Sequence, residues 1–242
     1  MPRIVCAVGL LTVLTVATVA RGQALVDNTE TGFVSMFNGE DLTGWSGQPG
    51  AWHVEDGANT GESTPEKPCV ASHYLYWTGG EPANFIMRCQ IKLSGGNSGI
   101  QFRSEKRPNF DTFGYQADFD MANQWTGCLF QHVRGAVVTR GTMATVLPDG
   151  TRQEEQFASM QSLVPFIKPN TFNDYEIEAV GSRVTLRLNG QLMCEVNDMD
   201  SERACRKGVI ALQMHQGDPM KVQFKNLGIK LLTEESGPDT NE

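Results

Sequence analysis

The sequence predicts an all-β fold, a single-domain sandwich or barrel of the jelly-roll kind, and three observations carry that prediction. Short runs of alternating apolar and polar residues recur along the chain, and no stretch of useful length keeps a helical period. Gly, Asn and Pro turns separate those runs at short intervals, as in all-β sandwiches and barrels. Behind an N-terminal leader there remain roughly two hundred residues, enough for one such domain with a substantial core, with no internal repeat and no second domain.

The leader comes first. Arg3 gives a short basic start, residues 4–20 are almost unbroken apolar sequence, and small residues follow at Gly22 and Ala24. This reads as a signal peptide over residues 1–23, cleaved between Ala20 and Ala24. A retained anchor is the alternative, but the run is marginal in length for a spanning helix. No cysteine follows it to accept a lipid. Export follows, to a periplasmic or extracellular location, with no membrane contact after cleavage. Residues 24–31 read as a linker, 32–232 as the domain, and 233–242 as a disordered acidic tail.

Within the domain, strands are expected near 33–37, 73–77, 84–93, 98–104, 114–119, 127–132, 135–139, 208–214 and 221–231. The clearest section is DYEIEAVGSRVTLRLNGQLMCEVND. Tyr175, Ile177 and Ala179 alternate with acids, Gly181-Ser182 turns the chain, and Val184, Leu186 and Leu188 follow. Asn189-Gly190 turns it again before Leu192, Cys194 and Val196, which completes a three-strand meander. Residues 141–170 read as a long irregular polar loop, able to border a site.

Charge narrows the partners. The chain carries a net charge of −8, and loss of Arg3 and Arg21 with the leader makes it −10. Such a surface repels phosphate backbones and anionic polysaccharides, which excludes nucleic acid and leaves neutral ligands unaffected. Cys69, Cys89, Cys128, Cys194 and Cys205 remain after cleavage, an odd number without the C-x-x-C spacing of zinc or thioredoxin-type sites. One or two disulfides are compatible with export, Cys194 and Cys205 being the nearest pair. Cys89 and Cys128 read better as small buried hydrophobes.

The candidate site lies in residues 97–118, NSGIQFRSEKRPNFDTFGYQAD. Successive strand side chains point to opposite faces, so Ile100 and Phe102 oppose Gln101 and Arg103. Tyr115, Ala117 and Phe119 likewise oppose Gln116 and Asp118. In IALQMHQG, Leu212 and Met214 oppose Gln213 and His215. Three strands thus offer long hydrogen-bonding side chains from a face that is not the core, the simplest floor for a sugar. Among the aromatics, Trp52 and Trp77 read as core. Trp125, set between polar residues in a loop, is the better surface for stacking on a sugar ring. His53 and His73 read as structural.

Seven segments then take on a familiar form: GFVSMFNGEDLTGW, WHVEDG, YLYWTGGEPANF, NSGIQFRS, GYQAD, TFNDYEIEAVGSRVTLRLNGQ and GVIALQMHQGDPMKVQFKN. In this order, over residues 32–232, they resemble the 3-keto-disaccharide hydrolase domain family. The resemblance implies a concanavalin A-like β-sandwich of two antiparallel sheets. It also implies action on glycosides already oxidised to a ketone at sugar carbon three, by lyase or hydrolase chemistry. That ketone acidifies the hydrogen on carbon two. Such a site then needs a base, donors for the enolate oxygen and an acid for the leaving group. Arg103 is the candidate for the enolate oxygen, and Asp118 and His215 are base and acid in either order. Gln101, Gln116 and Gln213 would hold sugar hydroxyls. No cofactor is predicted, a divalent cation is left open, and oligomeric state is not readable.

One segment departs from the family's pattern. Where relatives carry two adjacent acids and several arginines, this chain has GCLFQHVRGAVVTRG, one residue shorter. Gln131 and His132 stand where the acids would fall and Val133 where an arginine would. His132 is then a substitute base or ligand contact. A non-catalytic carbohydrate-binding module on the same sandwich is therefore the alternative, since this fold serves lectins and glucanases alike. A glycosidase with paired carboxylates ranks last, because Asp118 and Asp120 sit side by side on one strand instead of flanking a bond.

Overall fold

The strands expected from the alternation pack into two sheets. A computed structural model describes residues 30–233. The expected signal peptide (1–23), most of the expected linker (24–29) and the tail beyond Thr233 lie outside the described residues.

In chain order the strands are β1 (Val34–Ser35), β2 (Trp45–Ser46), β3 (Trp52–Glu55), β4 (Ala58–Glu62), β5 (His73–Trp77) and β6 (Phe85–Ser94). There follow β7 (Asn97–Arg107), β8 (Asp111–Asp120), β9 (Leu129–Gln131), β10 (Gly135–Val138), β11 (Thr142–Val146) and β12 (Arg152–Gln156). The meander is β13 (Asn173–Val180), β14 (Arg183–Leu188) and β15 (Gln191–Asp198), and β16 (Val209–Met214) and β17 (Lys221–Leu231) complete the fold. The larger sheet has the order β12-β11-β15-β14-β13-β6-β17-β4-β3, with β1 on β17. The smaller sheet runs β10-β9-β8-β7-β16-β5-β2. Pairing is antiparallel apart from β11 on β15.

The core lies between the sheets because each lends its apolar face. Phe85, Met87, Cys89, Ile91 and Leu93 of β6 point inward, as do Tyr175, Ile177 and Ala179 of β13. Phe102, Tyr115, Ala117 and Phe119 meet them from the smaller sheet. Phe85 packs edge-on against Phe102 with ring centroids 6.1 Å apart, and Phe119 meets Tyr175 at 6.5 Å. Each fully buried side chain of this size contributes about 1.5–3 kcal/mol. The partners of these core residues on β7 and β8 face the other way, so the outer face of the smaller sheet is the one left for a ligand.

Two expectations are corrected. Residues 141–170 are not a structureless loop: β11 and β12 form a hairpin, and a short 3-10 turn spans Gln161–Phe166. Thr142, Ala144 and Val146 do alternate inward, but β12 is RQEEQ, exposed throughout, an edge strand with no apolar signal to read. Disulfides are absent among the described residues. Cys69, Cys89, Cys128 and Cys194 are buried thiols and Cys205 is a half-buried one, all of them free. Burial pushes the Cys194 thiol far above its ordinary pKa, which makes it inert.

Candidate active site

The site begins with an interruption in β7. Its register on β8 pairs Gly99 with Asp118, Gln101 with Gln116 and Phe102 with Tyr115, then jumps to Glu105 with Phe113. Arg103 and Ser104 together therefore face Gly114, a β-bulge with Arg103 in left-handed backbone at φ 48°. Gly114 is required there, because a Cβ would collide with Ser104. The extra residue hands the outer face to Ser104, whose hydroxyl donates to Gln101 Oε1 at 2.6 Å.

Arg103 accordingly does not share the face of Gln101, which corrects the expectation drawn from simple alternation. Its guanidinium is 2% exposed. Nε donates to the Ala83 carbonyl at 2.7 Å, and Nη1 to the carbonyls of Gly181 and Cys205 at 2.9 and 3.4 Å. Nη2 donates to Asn84 Oδ1 at 3.4 Å. Burial draws its pKa down to about 10, so it stays charged at neutral pH. Arg103 pins loops together at a different part of the sandwich and contacts no ligand-facing residue.

What remains on the outer face is a connected amide floor. Gln116 Nε2 donates to Asp118 Oδ1 at 2.5 Å and to Gln213 Oε1 at 3.1 Å. Gln101 Nε2 donates to Gln116 Oε1 at 3.0 Å, and Gln213 Nε2 to the Tyr74 hydroxyl at 3.0 Å. The Ser98 hydroxyl donates to the Gln213 carbonyl at 2.8 Å, tying β7 to β16. Gly99 leaves room for this arrangement, since a Cβ there would lie 2.8 Å from Gln116 Cγ. Gln101 is wholly buried beneath the others and reaches no ligand, so its expected contact with sugar hydroxyls is corrected to support of Gln116.

Above the floor is a cavity of about 700 Å³, lined by Gln116, Asp118 and Gln213 below and by residues of the surrounding loops. Its volume suits a small carbohydrate. Asp118 is 4% exposed, and burial pushes its carboxyl up to about 7; the Gln116 hydrogen bond opposes that rise and the Asp120 charge adds to it. A carboxyl titrating near neutrality can both take and return a proton.

Loops supply the walls. Trp125 is 37% exposed and lines the cavity. Its loop is anchored by Asp120, whose carboxylate accepts from the backbone N–H groups of Gln124, Trp125 and Thr126 at 2.7–2.9 Å. Buried Arg140 grips the same loop through the carbonyls of Thr126 and Asn123. Asp120 is thus occupied in holding backbone, which removes the paired-carboxylate glycosidase reading.

Another wall is the β7–β8 hairpin tip, where Pro108 and Asn109 line the cavity. Asn109 and Phe110 are both left-handed, at φ 60° and 58°. The conformation persists because Phe110 stacks on Tyr76 at 6.3 Å and the Tyr76 hydroxyl donates to the Asp111 carbonyl at 2.6 Å. His132 lines the cavity between Phe113 and Phe130, with ring centroids at 6.4 and 5.9 Å, and partial burial holds its pKa below the usual histidine value. Gln131 points the opposite way, donating to the Arg203 carbonyl and accepting from Arg134 beneath the sheet.

His215 follows β16 and is half-buried at the cavity. Its Nδ1 lies 2.5 Å from the Gln216 carbonyl, which can only accept, so Nδ1 carries a hydrogen and Nε2 is the nitrogen left for a ligand. Of the expected residues, the structure brings together Asp118, Gln116, Gln213, His215, His132 and Trp125, but not Arg103 or Gln101. The reading of the sequence did not single out Asn97, Asn109 or Asp111, which also line the cavity. Asn97 was available to it: positions 97, 99 and 101 share one face. No Lys or Arg lines this cavity among the described residues.

A family model for the 3-keto-alpha-glucoside-1,2-lyase-like domain matches residues 32–230. Two solved structures of candidate glycosyl hydrolases from Parabacteroides distasonis are similar in fold. One is 19% identical with a TM-score of 0.57, covering 87% of this chain and 99% of that one. The other is 18% identical with a TM-score of 0.56, covering 83% and 99%. The carbohydrate binding module CBM66 of Bacillus subtilis is 18% identical with a TM-score of 0.51, covering 79% and 98%. At these identities the likeness concerns the fold alone. No curated protein matches.

Proposed function

Because this chain belongs to the 3-keto-alpha-glucoside-1,2-lyase-like domain family, we propose that its cavity cleaves 3-keto-glycosides by proton abstraction and elimination. The observation that carries the reading is Asp118: a buried carboxyl on the floor of a polar cavity, titrating near 7, with one oxygen held by Gln116. In the proposed reaction, Asp118 Oδ2 removes the hydrogen on carbon two, and the electrons of that C–H bond pass to the ketone oxygen as an enolate. Collapse of the enolate restores the ketone, forms the C1–C2 double bond and breaks the bond from carbon one to the glycosidic oxygen. The departing oxygen takes a proton from Nε2 of His215 in its imidazolium form, which leaves the neutral ring with its hydrogen on Nδ1. Water adding to the enone would give net hydrolysis.

With Arg103 elsewhere, neutral donors must hold the enolate oxygen. Gln213 Nε2 has a second hydrogen beyond the one on Tyr74, and Asn97 brings a side-chain NH2 to the same cavity. Neutral amide donors serve oxyanions in other acyl-transfer sites at about 3–4 kcal/mol each. The leader supports placing this activity outside the cytoplasm.

Incubation in heavy water with a panel of 3-keto-glucosides, followed by NMR, tests the reading. Deuterium uptake at carbon two, or elimination above a buffer control, is expected. A second reading, a binding module without catalysis, draws on the absence of any Lys or Arg at the cavity among the described residues. Broadened ligand signals without exchange would establish it and overturn the first. In either case Trp125→Ala is expected to weaken binding of a 3-keto-glucoside about tenfold, the value of about 1.4 kcal/mol for a lost ring contact. Calorimetric titration measures it, and unchanged affinity would remove Trp125 from the ligand's wall.

A further inference from the structure

The hydrogen bonds of the floor all run in one sense, and Asp118 fixes that sense. A carboxylate only accepts, so Gln116 must turn its Nε2 toward Asp118 and its Oε1 toward Gln101. Gln101 then presents Nε2 to Gln116 and its own oxygen to the Ser104 hydroxyl. On the other flank Gln213 turns its oxygen to Gln116 and its nitrogen to Tyr74. Both hydrogens of Gln116 Nε2 are therefore committed inside the protein, one to Asp118 and one to Gln213, and none is left for a sugar hydroxyl.

We propose that Gln116 is a positioning residue for Asp118: it reserves Oδ1, leaves Oδ2 as the one oxygen that takes and returns the proton, and favours the carboxylate over the acid. The proposal rests on the reading of Asp118 as the base. When Asp118 is protonated, Oδ1 still accepts from Gln116, so the proton resides on Oδ2 and the floor keeps its arrangement through the cycle. Gln116 is itself clamped from three sides, by Gln101, Gln213 and the space left by Gly99. The titratable groups around Asp118 are Asp120 on its own strand, Cys128 just before β9 and Tyr175 of β13, with Asp111, His132 and His215 lining the same cavity; Gln116 is the side-chain donor to its carboxyl. A base in this setting depends heavily on that one donor.

The test is a carboxyl-carbon NMR titration of Asp118, together with the pH profile of deuterium exchange, in the wild type and in Gln116→Met. Loss of the donor penalises the carboxylate, so the midpoint of Asp118 and the acidic limb of kcat/KM should both move up, by about one pH unit. Gln213→Met leaves the donor in place but unclamped. It should move both in the same direction by less, and it decides the matter if Gln116→Met does not fold. A midpoint unchanged in every variant that folds overturns the proposal, even if activity falls. A midpoint that rises while the wild type exchanges no 3-keto-glucoside upholds the positioning of Asp118 and refutes the reading of the function.

Discussion

Asp118→Asn is expected to slow exchange and elimination at least about a hundredfold, the usual worth of a general base, while making the folded protein more stable above neutral pH. Asparagine keeps an oxygen for the Gln116 donor but carries no charge to bury. The stability effect has a definite sign. In the folded protein Asp118 holds its proton up to about 7, against 3.8 for an ordinary aspartate. Its contribution to stability is therefore fully present below 3.8 and is lost as the pH rises through 7, where a buried carboxylate remains. Three units correspond to about 4 kcal/mol at most, so the variant should gain a few kcal/mol at pH 8 and almost nothing near pH 4. Urea unfolding of both proteins at the two pH values measures this. Equal differences at both would show that Asp118 titrates as an exposed acid does, and the base would have to be sought elsewhere.

The second large effect is Arg103→Ala. Four acceptors, on Ala83, Gly181, Cys205 and Asn84, lose the charged donor that ties their loops together. A loss of about 3–5 kcal/mol is expected, since the lost charged hydrogen bonds and the volume vacated by a buried side chain both count. For a domain of this size that lowers Tm by about 10 °C. Below its Tm the variant should keep turnover within a few-fold of wild type, because the guanidinium lies away from the cavity. A variant with unchanged Tm and no activity would return Arg103 to the chemistry.

These two residues also show what a sequence discloses and what it withholds. Period-two alternation put Gln116, Asp118 and Gln213 on one face, and the folded chain joins them by hydrogen bonds. The same rule misplaced Arg103, because one extra residue in β7 resets the alternation and no residue type in QFRSEK announces it. Gln101 lay on the right face but beneath the ligand surface, a matter of depth that alternation does not encode. Asp120 had the right direction too, yet its oxygens serve the backbone of the Trp125 loop. Edge strand β12 was invisible for a simpler reason: a strand exposed on both faces has no apolar residues to alternate.

The bulge has a consequence for descent as well as for folding. Chain length between Phe102 and Glu105 decides whether a permanent cation stands in the cavity or in the interior. Deleting Ser104 would remove the bulge and leave Arg103 to take the outward position, so a change of length would act on the ligand as a change of charge. A cavity free of fixed cations suits neutral sugars; one gaining an arginine would welcome sugar acids. In this sandwich, insertion and deletion at one strand position offer a route to new ligand charge that no substitution of a cavity residue needs to accompany.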